Sequence, residues 1–180
     1  MVWAAISEKG ISELLVFHEK TAMNTELYIN IITCYLTTFI EKHHSDGKYI
    51  FWPDLATSNY AKATLDAIDA LGINYVSKEQ NVPNAPQIRP IEKFRAHLKA
   101  KVYQNGWEAK NLDELEDRIR NKLKKFDSSY FEKLFKNLLK KLKSANKNGL
   151  LSLKWVVRNL INNMLKFHRN KTDIKRAGVV

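Results

Sequence analysis

KYIFWPDLATSN, residues 48–59, holds a four-residue apolar run that ends at Pro53 and Asp54. The apolar run predicts a short buried strand, and the proline with the polar residues behind it predicts where that strand stops. A carboxylate just past a strand end lies at the carboxyl edge of a sheet, where sites in α/β folds gather. Taken alone, the stretch leaves two interpretations of Asp54 open: a solvent-exposed turn residue, which is the commoner case, and a metal ligand.

The elements around this strand alternate. Two apolar runs, 1–7 and 11–17, are joined by three residues ending in Gly10, which predicts a hairpin. Periodic apolar residues then predict helices over 24–43 and 58–71, and a short strand over 73–76 separates the second of these from an irregular stretch, 77–89. Helices follow over 91–103, 111–126 and 128–147. This order predicts a mixed α/β layered domain followed by a basic helical extension.

Composition limits the class of protein. The chain has 180 residues and a net charge of +11, carried by its second half: residues 1–90 have a net charge of −3 and residues 91–180 one of +14. Such asymmetry favours a polyanionic partner, most often nucleic acid, although a solvated lysine-rich helix face explains it equally well. No apolar run is long enough to span a membrane. The single cysteine, Cys34, excludes an internal disulfide and is expected to be a buried apolar residue.

Glu92 is the second candidate ligand. Pro90 fixes the start of a predicted helix, so Glu92 falls in its first turn, where the helix dipole alone favours a carboxylate. Together, a carboxylate at a strand end and one on a later helix suit two divalent ions for phosphoryl transfer, for which such sites usually supply three or more acids. No histidine lies at a spacing typical of metal ligands from a carboxylate or cysteine. His43 and His44 are expected at exposed helix ends, and His97 at the surface or facing DNA.

Residues 122–176 form a basic run with 16 Lys and Arg against 3 acids. Lysine contacts to phosphates would give affinity for DNA without reading its sequence. Five aromatic residues at helical spacing interrupt the run. Such residues are more often part of a core than stacked on bases, so we expect core positions for Phe126, Tyr130, Phe131, Phe135 and Trp155.

Four motifs in order resemble mariner-type transposases. VWAAISEKGISELLVF (2–17) resembles their hairpin V-W-G-x-I-S-x-x-G-x-S-x-L-x-F, and YIFWPDLATSNYAKAT (49–64) their second acidic motif, Y-I-F-x-x-D-x-A-x-x-H. VPNAPQIRPIEKFRAHLKAKVY (82–103) resembles the third, P-N-S-P-x-x-x-P-I-E-x-x-W-x-x-L-K-x-x-V-Y. NGWEAKNLDELEDRI (105–119) is similar to the family's helical end. The resemblance covers about residues 1–150.

The resemblance implies a ribonuclease-H-like fold: a mixed sheet flanked by helices, with a partial catalytic domain over 1–126 and a basic helical extension over 127–180. It implies a two-metal site for Mg²⁺ or Mn²⁺ that cuts and joins transposon DNA, with Asp54 as the second acid and Glu92 as the third. The predicted partners are DNA and a transposase homo-oligomer or full-length transposase, and the predicted location is the nucleus. The predicted DNA contacts are Lys93, Lys99, Lys101, Lys124 and Lys125.

The chain also departs from the family pattern. In the family, the first acid of the metal site lies on a central strand upstream of the hairpin, and this chain contains neither that acid nor that strand. The hairpin and the 49–52 strand are therefore expected to expose unpaired backbone edges unless something replaces the strand. Asn59 and Arg95 stand where the family has His and Trp. We therefore expect an N-terminally truncated fragment with little or no cleavage activity alone. The alternatives are a non-catalytic DNA-binding or transposase-interacting protein and an unstable relic.

Overall fold

The computed structural model describes residues 1–17, 22–81, 89–148 and 178–179. These residues form a mixed α/β structure with small antiparallel and parallel ladders, which confirms the predicted class. Within them, no helix is both long and apolar enough to cross a membrane. The strands are β1 (Val2–Trp3), β2 (Ile6–Ser7), β3 (Gly10–Ile11), β4 (Leu15–Val16), β5 (Tyr49–Ile50) and β6 (Gly178–Val179). The α-helices are α1 (Thr25–Ile31), α2 (Thr37–His44), α3 (Lys62–Ala70), α4 (Pro90–Val102), α5 (Leu112–Leu123) and α6 (Ser128–Asn148).

The predicted hairpin is present as two short ladders. β1 pairs antiparallel with β4, and β2 pairs antiparallel with β3 at the turn. Between the ladders, the Ser12 hydroxyl accepts a hydrogen bond from the Ala5 backbone N–H, which interrupts the strands while keeping their backbone paired. Gly10 has φ of 141°, a conformation that residues with a Cβ rarely adopt, so the glycine in the turn has a physical reason.

β5 lies between two layers of helices. Tyr49 and Phe51 are buried in a cluster with residues of α1, α2 and α3. Ile50 and Trp52 alternate with them and pack on the opposite side, against a cluster built largely from α4 and α6. This alternation is the period of a β-strand with both faces covered. Residues 49–52 are therefore extended and buried, as the sequence predicts, although only Tyr49–Ile50 is regular strand.

Both backbone edges of this segment have partners. On one side Phe51 forms a parallel bridge with Tyr75, with N–H···O distances of 2.7 Å and 2.9 Å, so the predicted strand over 73–76 is reduced to this bridge. On the other side β5 pairs in parallel with β6, Tyr49 opposite Gly178 and Ile50 opposite Val179. β6 also contacts β2. The edge that we expected to be unpaired is therefore covered by residues from the far end of the chain.

The helix predicted over 24–43 is continuous but not uniformly α-helical. Asn24 caps it by accepting a hydrogen bond from the Leu27 N–H, and a π-helical segment, Ile32–Leu36, separates α1 from α2. Apolar residues spaced by four drift around an α-helix because its turn has only 3.6 residues. The wider π turn changes which residues face the core, so Leu36 is fully buried while Tyr35 is only partly covered.

Two predictions about this helical region are wrong. Cys34 is exposed, and its thiol donates to Asn30 Oδ1, because the π segment turns it away from the buried face. His44 is not an exposed helix end: it is 1% exposed and packs between the rings of Phe39 and Tyr49. His43 beside it is partly exposed.

The C-terminal helices belong to the same core. Phe131, Leu134 and Phe135 of α6 are buried against Phe94 of α4 and Ile6 of β2. Phe126, Phe131 and Phe135 are thus core residues, as the sequence predicts. The division after residue 126 stays a prediction, and Trp155, which the sequence also predicts in the core, lies outside the described residues.

Candidate functional site

Asp54 lies in the turn that follows β5. Its side chain is exposed, and its Oδ1 accepts hydrogen bonds from the Ala56 N–H at 3.0 Å and from Asn59 Nδ2 at 2.6 Å. Asn59 is 4% exposed and also reaches the Asp54 carbonyl at 3.3 Å. The carboxylate is therefore held by a buried amide and by its own turn, as in an Asx-type turn.

Two tyrosines lie close enough to Asp54 for its negative charge to raise their pKa values. Burial and then the Asp54 carboxylate raise the pKa of Tyr28, which is 3% exposed on α1. Burial also raises the pKa of Tyr60 to about 12, with Asp54 adding to the rise and Asn81 and Arg89 opposing it. Both phenols are therefore neutral at physiological pH, so their hydroxyls can donate or accept hydrogen bonds but add no charge near Asp54.

Glu92 lies in the first turn of α4, where the sequence predicts it. Its backbone N–H donates to the Arg89 carbonyl at 3.2 Å, and its side chain is partly covered. Arg95, one turn further on, places Nη1 at 3.2 Å from Oε1 and 3.3 Å from Oε2. The carboxylate of Glu92 thus has a cation beside it that comes from its own helix.

The structure brings together the two elements that carry these acids. Trp52, two residues before Asp54, and Ile91, next to Glu92, pack against the same apolar cluster. Arg89, the residue that precedes α4, lies 5.4 Å over the Trp52 ring and 3.4 Å from the carbonyl oxygen of Pro53. The end of β5 and the start of α4 are therefore neighbours.

The carboxylates of Asp54 and Glu92 are suitable ligands for a divalent ion, but both are already engaged by other groups of the protein. Carboxylate oxygens are the ligands that Mg²⁺ and Mn²⁺ prefer. However, Asp54 Oδ1 is already bonded to Ala56 and Asn59, and Glu92 to Arg95. Across residues 1–17, 22–81 and 89–148, no group of three or more His, Cys, Asp or Glu side chains could hold a metal ion.

The predicted DNA contacts are all exposed, and two of them belong to a cluster of like charges. Burial, followed by the charges of Arg118, Lys125 and Lys101, lowers the pKa of Lys122. We call Lys101, Arg118, Lys122 and Lys125 the basic cluster; it joins the end of α4 to α5. Lys101 also lies 5.4 Å over the Phe126 ring. Lys93, Lys99 and Lys124 are exposed on or just beyond the same helices.

His97 is exposed, as expected, and its Nδ1 lies 2.7 Å from the Tyr130 hydroxyl. Sequence reasoning missed four residues that surround the strand end: Tyr28, Tyr60, Asn81 and Arg89. Asn81 and Arg89 sit in a stretch with no periodic pattern, so nothing in the sequence singled them out. A weak signal for Tyr60 was its position directly after the Thr57-Ser58-Asn59 polar cluster.

The described residues form a layered α/β domain, with Asp54 after a strand and Glu92 at a helix start. The structure resembles that of the Mos1 transposase catalytic domain, which was described with raltegravir and Mn, with a TM-score of 0.63. The match covers 84% of this chain and 70% of that chain at 12% sequence identity. The predicted resemblance to mariner-type transposases is thus confirmed in fold. No protein family and no curated protein matches the chain in sequence.

Proposed function

We propose that this chain derives from the catalytic domain of a mariner-type transposase with a ribonuclease-H-like fold. Its ancestral reaction is the cleavage and joining of DNA at transposon ends with Mg²⁺ or Mn²⁺. The observation that supports this most directly is the contact of Arg89 with Pro53 and Trp52, because it joins the strand that leads to Asp54 to the helix that carries Glu92. The likeness in fold to a transposase catalytic domain supports the same proposal.

We further propose that the chain has little or no cleavage activity alone. Glu92 is paired with Arg95, so a metal ion must compete with an attached cation for this carboxylate. Asp54 Oδ1 is bonded to a buried amide, so a metal ion must also displace or share this bond. With these pairings in place, Asp54 and Glu92 would hold and orient a divalent ion poorly.

The test is a nicking assay on supercoiled plasmid DNA with Mn²⁺, comparing the chain with Asp54→Ala. The expected result is the same low level of nicked plasmid for both proteins. Nicking that depends on Mn²⁺ and disappears in Asp54→Ala would overturn the proposed inactivity. It would also strengthen the assignment of Asp54 as a metal ligand.

A second candidate function is DNA binding without catalysis. The basic cluster favours it, since Arg118, Lys125 and Lys101 lie close enough to Lys122 for their charges to help lower its pKa. Such a surface suits a phosphate backbone. In this reading the chain binds DNA in the nucleus, alone or with another transposase chain.

A further inference from the structure

Asn81 forms the centre of a polar network behind the strand end. It is 3% exposed. Its Oδ1 accepts from Trp52 Nε1 at 2.9 Å and from Arg89 Nη2 at 2.5 Å. Its Nδ2 donates to the Pro53 carbonyl at 2.8 Å and to the Tyr60 hydroxyl at 2.7 Å. One buried side chain thus contacts four residues from three parts of the chain.

These four bonds use the whole capacity of the amide. A primary amide offers two N–H donors and an oxygen with two acceptor positions. Here both donors and both positions have partners, and the Pro53 carbonyl, which only accepts, fixes which side is nitrogen. The Tyr60 hydroxyl in turn donates to the Val76 carbonyl at 3.0 Å. Asn81 therefore cannot rotate without breaking several buried bonds at once, and each broken bond leaves an unsatisfied polar group.

Arg89 extends the network to α4. The guanidinium bonds Asn81 and lies over Trp52, while the backbone carbonyl of the same residue accepts the Glu92 N–H. Arg89 is the residue at the N-cap position, and its side chain makes no capping bond to the helix. The side chain is instead committed to the strand end, so it sets where the first turn of α4 begins relative to Pro53.

We propose that Asn81 and Arg89 are positioning residues, which hold the Glu92 turn of α4 against the Asp54 end of β5. As a role in a metal site, this inference rests on the proposed function. As a mechanical coupling between the two segments, it stands on the contacts alone. Neither residue needs to touch DNA or metal, because each acts through the backbone next to an acid: Pro53 before Asp54, and the 89–92 turn around Glu92.

Amide hydrogen exchange without metal tests the coupling. In Asn81→Ala we expect exchange to rise by about tenfold in two separate segments, 54–60 and 90–94, because both lose their common anchor. Thr64→Val is the matched control: Thr64 is fully buried and donates to the Ser58 carbonyl at 2.7 Å, so its loss affects 57–60 but not α4. The coupling is overturned if 90–94 is unchanged in Asn81→Ala, or rises equally in Thr64→Val.

Arg89→Gln is the second variant, since Asn81→Ala removes a fully buried group and could prevent folding. Arg89 is only partly buried, and its loss should raise exchange in 90–94 by a similar factor while 57–60 keeps its bond from Thr64. Unchanged exchange in 90–94 would show that the guanidinium does not set the helix start. A cooperative thermal melt establishes that each variant is folded before exchange is measured.

Mn²⁺ titration by electron paramagnetic resonance separates the coupling from the function. It is done in an Arg95→Ala background, which frees Glu92. We expect Asn81→Ala to weaken Mn²⁺ binding by about tenfold. If exchange shows the coupling but the background protein does not bind Mn²⁺, the metal site of the proposed function, with Asp54 and Glu92 as its ligands, fails and the coupling remains. If Mn²⁺ binds equally with and without Asn81→Ala, the positioning role is wrong.

Discussion

Arg95 forms an ion pair with the carboxylate of Glu92. One guanidinium nitrogen lies within 3.3 Å of both carboxylate oxygens, across one turn of α4. Position 95 is Trp in the family pattern that the sequence resembles, and it is Arg in this chain. The pair is exposed, with Arg95 66% and Glu92 37% accessible, which limits its strength.

Removing this cation should improve metal binding. An exposed ion pair is worth about 0.2–1 kcal/mol, so Arg95→Ala should tighten Mn²⁺ binding by roughly 1.4-fold to fivefold. Isothermal titration or Mn²⁺ resonance measures the change. Lys99→Ala is the control, since it removes one charge from the same helix without touching Glu92. An equal gain in Lys99→Ala would mean that net charge, and not the pair, is responsible.

Asp54 should contribute to stability through Asn59. Asp54→Ala leaves the buried Asn59 amide without its 2.6 Å acceptor and should lower the free energy of unfolding by about 1–3 kcal/mol. Asp54→Asn keeps an acceptor oxygen and should cost less. Urea unfolding of the three proteins measures this order. A gain in stability in Asp54→Ala would instead indicate a carboxylate that is repelled by its surroundings.

His44 should make the protein sensitive to acid. It is 1% exposed, and neither ring nitrogen has a hydrogen-bond partner among the described residues. Burial, and secondarily the charge of Lys9, lowers its pKa from 6.5 to about 4, while Asp46 opposes the shift. The unfolded chain therefore takes up a proton at higher pH than the folded one. The stability present above pH 6.5 is lost progressively as the pH falls towards 4.

Between pH 7 and pH 5 this loss should amount to about 1–2 kcal/mol, measured by urea unfolding at several pH values. His44→Leu should flatten the pH dependence over this range, because the group that titrates is removed. His97→Gln is the control and should retain the loss, since His97 is exposed. A pH dependence that persists unchanged in His44→Leu would assign it to other groups.

The basic cluster should determine how DNA binding depends on salt. Each phosphate contact contributes roughly 0.9 to the slope of log K against log salt concentration. Replacing both Lys101 and Lys125 with Gln should lower that slope by about 2 and weaken binding to any DNA sequence alike. Lys42 and Lys62, which are exposed on α2 and α3, form the matched control pair. An equal fall in the slope for the control pair would place the contact surface elsewhere.

β6 should stabilise β5. The parallel ladder joins Tyr49 and Ile50 to Gly178 and Val179, so Val179→Pro, which removes an N–H and constrains the backbone, should cost about 1–3 kcal/mol. Chemical unfolding measures the loss, and Val179→Ala, which keeps the backbone N–H, is the control. Equal stability of Val179→Pro and the parent chain would show that the ladder contributes nothing in solution.

The sequence predicts local elements well where one physical rule dominates. The hairpin turn at Gly10 and the Pro90 start of α4 both occur where single residues impose them. The placement of Asp54 and Glu92 at a strand end and in a first turn follows from the same rules. These features depend on neighbours in the chain, which a sequence shows directly.

Features that depend on distant neighbours could not be predicted. The π turn changes the buried face of the first long helix, and so Cys34 and His44 were assigned to the wrong environments. Asn81 makes its four side-chain bonds to Trp52, Pro53, Tyr60 and Arg89, which lie 8 to 29 residues away in the sequence. The pairing of β5 with β6 joins residues separated by most of the chain, and two-residue strands carry no recognisable pattern.

That pairing has a consequence for synthesis. A ribosome makes β5 long before Gly178 and Val179, so the edge of β5 stays without this partner while the intervening chain emerges. An uncovered strand edge is a template for pairing with other chains, and contacts between residues so far apart form slowly. The nascent protein therefore passes through a long period in which its central strand is open to wrong partners. The demand on chaperones should be greatest before Gly178 and Val179 emerge and should fall once they can pair with β5.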